Sequence, residues 1–123
     1  MKHVHLVKRS FRHAWEGVSL AFRQEQSFRI QLLAGLLVAV LAILLPLERW
    51  ERALLTLAIG AVLVLELGNS IVERLVDAMA PRVMEYARHL KDLAAAAVLV
   101  MACTALVLAV IIFWPYLALL ANL

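Results

Sequence analysis

Cysteine, glycine, proline and charge are all scarce in this chain of 123 residues, and each shortage argues against a class of protein. The single cysteine, Cys103, can form neither an intrachain disulfide nor a cysteine-based metal site. With 4 glycines, 3 prolines and no low-complexity tract, the sequence is unlike that of a disordered protein. Only 17% of the residues are charged, and the alternating short strands of a membrane β-barrel are missing.

Hydrophobic residues dominate instead: they make up 65% of the chain, and the mean hydropathy is +0.91. A soluble protein of 13.7 kDa has too little interior to bury that much apolar surface. The excess must face lipid, so the composition predicts an all-α membrane protein. The length predicts one domain, residues 1–123.

Three long apolar segments predict three transmembrane helices, over residues 30–47, 53–76 and 94–118. The first is interrupted only by Gln31 and is about 27 Å long as a helix, close to the thickness of the hydrocarbon layer. A short polar turn around Trp50 separates the first two segments, and a tryptophan suits the membrane interface.

An amphipathic helix is predicted ahead of the first span, over residues 6–27. Five large apolar residues recur there at steps of four, four, three and four, which places them on one helical stripe: Val7, Phe11, Trp15, Val18 and Phe22. Lysines and arginines lie largely off that stripe. This pattern favours a helix that lies in the membrane surface.

The distribution of lysine and arginine predicts the orientation. Six precede the first span, two follow it and four separate the second span from the third. By the positive-inside rule, the amino terminus and the second loop are cytoplasmic. The net charge of +3 then reflects this bias and attraction to anionic headgroups, and no nucleic-acid-binding module is visible.

The second span carries a polar stripe into the membrane. On a helical wheel, its five polar residues lie within about 60° of one common direction. They are Glu66, Asn69, Ser70, Glu73 and Asp77. Glu66 lies about 20 Å along this helix, which places it near the cytoplasmic boundary of the hydrocarbon. Carboxylates within a span cost a few kcal/mol, so they are usually functional.

Phosphoryl transfer fits the chemistry of this stripe. Two carboxylates at one depth can hold Mg²⁺, and a further carboxylate can accept a proton from a lipid hydroxyl. Lys91 and Asp92 begin the third helix, where a lysine can meet phosphate oxygens. The sequence has no phosphate-binding glycine loop, and its four histidines lack metal-ligand spacing.

Two other functions remain open at this point. One is a non-enzymatic channel or proton pathway lined by the polar stripe, although no acid continues such a path into the outer half of any span. The other is an assembly subunit without catalytic activity, in which the acids only fix the pairing of helices.

Four segments together resemble the prokaryotic diacylglycerol kinase family, which includes undecaprenol kinases. They are Glu66-Leu-Gly-Asn-Ser-Ile-Val-Glu-Arg-Leu-Val-Asp77, Lys91-Asp-Leu-Ala-Ala-Ala-Ala-Val98, Phe11-Arg-His-Ala-Trp-Glu-Gly17 and Glu25-Gln-Ser-Phe-Arg29. The resemblance covers about residues 8–110. It implies a homotrimeric membrane enzyme, with composite sites between subunits, that moves the γ-phosphoryl group of MgATP to a lipid hydroxyl.

The resemblance also implies roles for particular residues. Glu66 would be the general base, and Asn69 would support it. Glu25 and Glu73 would coordinate the metal and border the nucleotide. Four more residues would bind or border the nucleotide: His13, Asp77, Lys91 and Asp92.

The chain departs from the family pattern mainly in residues 78–90, where it reads Pro81-Arg-Val-Met-Glu-Tyr86. A smaller difference is Gly68 ahead of the asparagine. The resemblance implies a lipid with a primary hydroxyl as acceptor, diacylglycerol first and undecaprenol second. It also implies a location in the bacterial cytoplasmic membrane.

Overall fold

The computed structural model describes residues 2–79 and 84–122, and these form four α-helices. The helices are α1 (Lys2–Gln24), α2 (Gln26–Leu44), α3 (Arg49–Met79) and α4 (Met84–Ala121). Three of them, α2, α3 and α4, are long and apolar enough to cross a membrane. The all-helical fold and the three candidate spans predicted from the sequence are therefore confirmed. Residues 80–83, part of the loop that departs from the family pattern, lie outside the described residues.

The break between α1 and α2 falls at Glu25, whose backbone is extended, with φ −108° and ψ 108°. Arg29 stabilises this break: its Nη1 donates hydrogen bonds to the carbonyl oxygens of Phe22 (2.8 Å) and Arg23 (3.1 Å). Those carbonyls belong to the last turn of α1 and have no intrahelical partner. The first helix thus ends at Gln24, three residues before the predicted end.

The first span ends at Leu44, also three residues before its predicted end. Pro46 disfavours helical geometry in the residue before it, and Leu45 is accordingly extended, with φ −88° and ψ 148°. The next helix, α3, is capped at once, because the Glu51 carboxylate accepts the backbone N–H of Glu48 at 2.8 Å. This contact is one of the two hydrogen bonds of a capping box.

The bundle is built around α3, which packs against both α2 and α4. Leu55, Ala58 and Val62 are buried, and their spacing of three and four residues gives α3 one continuous inward face. A Cβ on Gly35 would lie 2.9 Å from Cγ2 of Ile59, so glycine allows α2 to approach α3 closely there. Few inward-facing residues are needed in such a small bundle.

Most of the apolar surface of the spans faces outwards. Within the most apolar window of each candidate span, only 17% to 28% of the residues are buried. Large apolar side chains such as Ile43, Leu57 and Leu99 are exposed. An apolar exterior of this extent is stable only when lipid or another protein surface covers it.

Glu51 is a buried acid that joins the start of α3 to the end of α4. The Tyr116 hydroxyl donates a hydrogen bond of 2.6 Å to Oε2 of Glu51, the oxygen that also accepts the Glu48 N–H. Next to it, the Trp50 indole N–H donates to the Glu48 carboxylate at 2.8 Å. These contacts satisfy a buried carboxylate and close the end of the bundle at the α2–α3 turn.

Replacing Tyr116 by phenylalanine is expected to lower the stability of the bundle, because the buried Glu51 carboxylate loses a hydrogen-bond donor. Unfolding in mixed micelles, followed by circular dichroism, measures the change. The matched control is Tyr86→Phe, since Tyr86 is exposed and donates no hydrogen bond within the described residues. Equal stability of the two variants would contradict a structural role for the Tyr116 hydroxyl.

Candidate active site

The polar stripe predicted on the second span lies on successive turns of α3. Glu66 and Ser70 are buried, with 3% and 8% of their surface exposed, and Asn69 and Glu73 are half-buried. The Asn69 side-chain amide donates a long hydrogen bond of 3.4 Å to Oε1 of Glu73. A neutral amide therefore separates the two glutamates and holds one of them in place.

Within the described residues, the carbonyl oxygen of the Asn69 side chain has no hydrogen-bond partner. It is buried and accepts no hydrogen bond from any residue in 2–79 or 84–122. Buried polar atoms are nearly always hydrogen-bonded in folded proteins, so a free acceptor here indicates a place for water or for a bound molecule. The free acceptor lies one helical turn from Glu66 and one from Glu73.

Glu25 reaches α3 through an arginine. It occupies the N-cap position of α2 but makes no side-chain capping bond. Instead its Oε1 lies 3.1 Å from Nη2 of Arg74, which follows Glu73 on α3. The same nitrogen donates to Oε1 of Gln24 at 2.8 Å. Arg74 is one of the four lysines and arginines between the second and third spans, and its place in the sequence does not indicate this ion pair.

A second ion pair links α3 to α4. Nζ of Lys91 lies 2.5 Å from Oδ1 of Asp77, one turn beyond Glu73. Asp92, the next residue of α4, is exposed and makes no ion pair within the described residues. His13 lies on α1, where its ring hydrogen-bonds Glu16 at 3.3 Å, and it makes no polar contact with α3 or α4 in the described part of the chain.

The structure thus brings most of the predicted site residues together. Three share one face of α3, namely Glu66, Asn69 and Glu73, while Asp77 on the same helix holds Lys91 of α4. Glu25 is attached to this helix by Arg74. Among residues 2–79 and 84–122, no hydrogen bond or ion pair links His13 or Asp92 to this group.

The oxygen atoms of this group suit a hard cation. Residues 2–79 and 84–122 hold no cluster of three acidic, histidine or cysteine side chains that could enclose a metal by themselves. Mg²⁺ does not need one, because it usually takes one or two carboxylates and completes its shell with water and substrate phosphates. Glu25, Glu73 and the unpartnered oxygen of Asn69 are ligands or water acceptors of the required kind.

An apolar groove of about 410 Å³ runs between α1 and α3 beside these residues. Val18, Leu67 and Ile71 line its apolar surface, and Glu25 and Ser70 contribute polar atoms. A groove of this composition can hold a hydrocarbon chain and keep a polar headgroup next to the Glu25 carboxylate.

Comparison with known proteins gives a consistent result. The sequence profile of prokaryotic diacylglycerol kinase matches residues 12–113. A diacylglycerol kinase of Escherichia coli strain K12 is 31% identical over 104 residues, which cover 85% of each chain. An undecaprenol kinase of Bacillus subtilis strain 168 is 33% identical over 107 residues, 87% of each chain.

A diacylglycerol kinase of Synechocystis sp. is 42% identical over 99 residues, which are 80% of this chain. The match spans 57% of the length of that relative. The E. coli and B. subtilis proteins, by contrast, are matched over most of their length. The family profile and these identities confirm the resemblance carried by the four sequence segments: the chain belongs to the prokaryotic diacylglycerol kinase family.

Proposed function

We propose that this protein is an ATP-dependent lipid kinase that transfers the γ-phosphoryl group of ATP to the primary hydroxyl of a membrane lipid. Membership of the family supports the proposal. The observation that carries it is the placement of Glu66, a carboxylate only 3% exposed, on the α3 face that also bears Asn69 and Glu73. A buried acid next to further oxygen ligands is the arrangement that this chemistry needs.

Glu66 is the proposed general base. As the lipid hydroxyl oxygen forms its bond to the γ-phosphorus, the bond from that phosphorus to the bridging oxygen of ADP breaks, and the hydroxyl proton passes to the Glu66 carboxylate. Asn69 supports the base from the next turn. The protein has little covalent chemistry of its own to perform on the phosphoryl group. It therefore acts mainly by positioning the reactants and neutralising their negative charge.

Glu25 and Glu73 are the proposed ligands of Mg²⁺. Bound there with the nucleotide, the ion would neutralise negative charge on the phosphates as it develops. The two residues themselves supply hard carboxylate oxygens from the α1–α2 break and from α3. Asn69, which donates to Glu73, fixes the orientation of one of these carboxylates.

Lys91 is the proposed phosphate-binding cation, and Asp77 and Asp92 complete the nucleotide site. The pair between Lys91 and Asp77 supports this role, because it holds an ammonium group one turn from Glu73. His13 is proposed to border the nucleotide from α1. A composite site in a homotrimer, with α1 of one subunit near α3 of another, gives His13 a partner surface.

Diacylglycerol is the proposed acceptor, and undecaprenol is the alternative. The name of the E. coli relative supports the first and the name of the B. subtilis relative supports the second. Both lipids present a primary hydroxyl at the membrane surface and carry hydrocarbon chains, acyl in one and polyprenyl in the other, that suit the apolar groove between α1 and α3.

The proposed location is the bacterial cytoplasmic membrane, with the amino terminus and the site on the cytoplasmic side. The lysine and arginine distribution supports this orientation. The first helix is proposed to lie in the interface as an amphipathic helix. Its exposed Phe11 and Trp15 support this placement, because they give α1 an apolar surface to bury in lipid.

The test is a phosphorylation assay on the purified protein in mixed micelles. The acceptors are diacylglycerol, undecaprenol and a lipid without a free hydroxyl, each with ATP and Mg²⁺. We expect phosphorylation of at least one alcohol and none of the lipid that lacks a hydroxyl. Absence of transfer to either alcohol would overturn the proposal, and an ion conductance in planar bilayers would then favour a channel.

A further inference from the structure

The feature that carries a further inference is Arg74, a residue to which the family resemblance gives no role. One nitrogen of its guanidinium, Nη2, bridges two side chains at the α1–α2 break: Gln24 at 2.8 Å and Glu25 at 3.1 Å. These are the only hydrogen bonds between α3 and that break among residues 2–79 and 84–122. Among these residues, Arg74 is therefore the polar contact that links the Glu25 side chain to α3.

The orientation of the Glu25 side chain is not set by helix capping either. An N-cap side chain commonly bonds to the backbone N–H groups of its own helix, but that of Glu25 does not. Its carboxylate is held from outside by Arg74 and has only 22% of its side-chain surface exposed. No other hydrogen bond or ion pair in the described residues links this carboxylate to α3.

The ion pair leaves Glu25 able to bind a cation. Arg74 contacts Oε1, and Oε2 makes no hydrogen bond within the described part of the chain. A carboxylate has lone pairs on both oxygens, so one can accept from the guanidinium while the other binds a metal. Outer hydrogen bonds of this kind commonly orient metal-binding carboxylates.

We propose that Arg74 is a positioning residue for the metal site: it holds the Glu25 carboxylate beside α3 so that Glu25 and Glu73 can bind one divalent cation. The inference rests on the proposed metal role of those two glutamates. It assigns to Arg74 a function in cation affinity and not in the transfer step. Loss of an outer partner typically weakens metal binding 10- to 100-fold.

The geometry also predicts which substitutions are tolerated. Both hydrogen bonds of Arg74 come from a single nitrogen, and a lysine ammonium has three donors. Arg74→Lys is therefore expected to keep cation affinity within about 3-fold of the original protein. Arg74→Gln, which has no charge, is expected to weaken it about 10-fold or more.

The test measures Mn²⁺ binding directly on the full-length protein in micelles. Free Mn²⁺ is followed by electron paramagnetic resonance in the presence of a non-hydrolysable ATP analogue. The matched control is Arg23→Gln, which removes the same charge two residues from Glu25. The Arg23 side chain makes no hydrogen bond or ion pair within the described residues. We expect Arg74→Gln to bind Mn²⁺ more weakly and Arg23→Gln to bind it normally. In Arg74→Gln, the Mg²⁺ concentration that gives half-maximal turnover should rise in parallel. The kcat at saturating Mg²⁺ should change less than 3-fold.

A double-mutant cycle identifies the route of the effect. If Arg74 acts through Glu25, Arg74→Gln weakens Mn²⁺ binding no further once Glu25 has been replaced by glutamine. Additive losses of Mn²⁺ affinity in the double variant would overturn the inference. Unchanged Mn²⁺ binding in Arg74→Gln would also overturn it. Tighter binding in that variant would overturn it too, because it would mean that the arginine competes with the cation. Absence of Mn²⁺ binding in the unsubstituted protein would overturn both the inference and the metal assignment, whereas the lipid phosphorylation assay decides the kinase function separately.

Discussion

Replacing Glu66 by glutamine is expected to lower the rate of lipid phosphorylation at least about 100-fold. The amide has nearly the same shape as the carboxylate but cannot accept the hydroxyl proton, and a positioned general base contributes about 10²–10⁴ to a rate. Because Glu66 is only 3% exposed, solvent cannot readily take over this role. The measurement is kcat with saturating ATP, Mg²⁺ and acceptor.

The matched control for this variant is Glu51→Gln. Both glutamates are buried and both lie on α3, but Glu51 is at the other end of the helix, bonded to Tyr116. We expect Glu51→Gln to lose stability and to keep a kcat within a few-fold of the original. An equal loss of kcat in both variants would mean that activity depends on intact packing of α3. A normal rate in Glu66→Gln would contradict the assignment of Glu66 as the general base.

The second large effect is expected on nucleotide binding, from Lys91→Gln. Losing a charged hydrogen bond to phosphate is expected to raise the KM for ATP about 10- to 100-fold. The variant also loses the ion pair that joins α4 to Asp77 of α3. Initial rates over a range of ATP concentrations give the KM, and the change in kcat should be smaller.

The matched control is Arg88→Gln, one turn earlier on α4. Arg88 is exposed and makes no ion pair within the described residues, so its loss removes the same charge without the contact to α3. An equal rise in KM for both variants would indicate general attraction of ATP to a basic surface. An unchanged KM in Lys91→Gln would contradict the assignment of Lys91 as a phosphate ligand.

The helices could be predicted from the sequence because lipid imposes a simple pattern. A run of apolar residues such as 30–47 has no other stable environment, so its existence and type follow from composition. The predicted ends of the helices are less accurate, because each end depends on local contacts. Pro46 ends α2 early through its effect on Leu45, and Arg29 caps α1 at the break. The first of these has a visible signal, a proline, while the second does not.

The sequence also singles out the acids of α3, because carboxylates in a span are costly and few. The partners of the acidic side chains could not be predicted. Arg74 contacts Glu25 across 49 positions of sequence, and nothing in the spacing of either residue indicates that contact. Glu51 looked like an ordinary charge in a polar turn, although it is buried and bonded to Tyr116. Contacts between distant residues require the packing of the helices, which the sequence pattern alone does not supply.

The position of Glu51 also bears on the channel alternative. A conduit across the membrane needs polar groups that continue from Glu66 towards the α2–α3 turn. The acid at that end is occupied by the Glu48 N–H and the Tyr116 hydroxyl, so it acts as a cap. Between them, the buried residues of α3 are apolar: Leu55, Ala58 and Val62. The polar groups of α3 thus form two separate clusters.

Sidedness of phosphoryl transfer is the measurement that tests the central claim most directly. ATP labelled in its γ-phosphoryl group is added outside sealed membrane vesicles that contain the protein, prepared either inverted or right-side-out. We expect label in the lipid of inverted vesicles only, because the proposed orientation places Glu66, Glu73 and Lys91 on the cytoplasmic side. Label appearing in right-side-out vesicles at an equal rate, or in neither preparation, would contradict it.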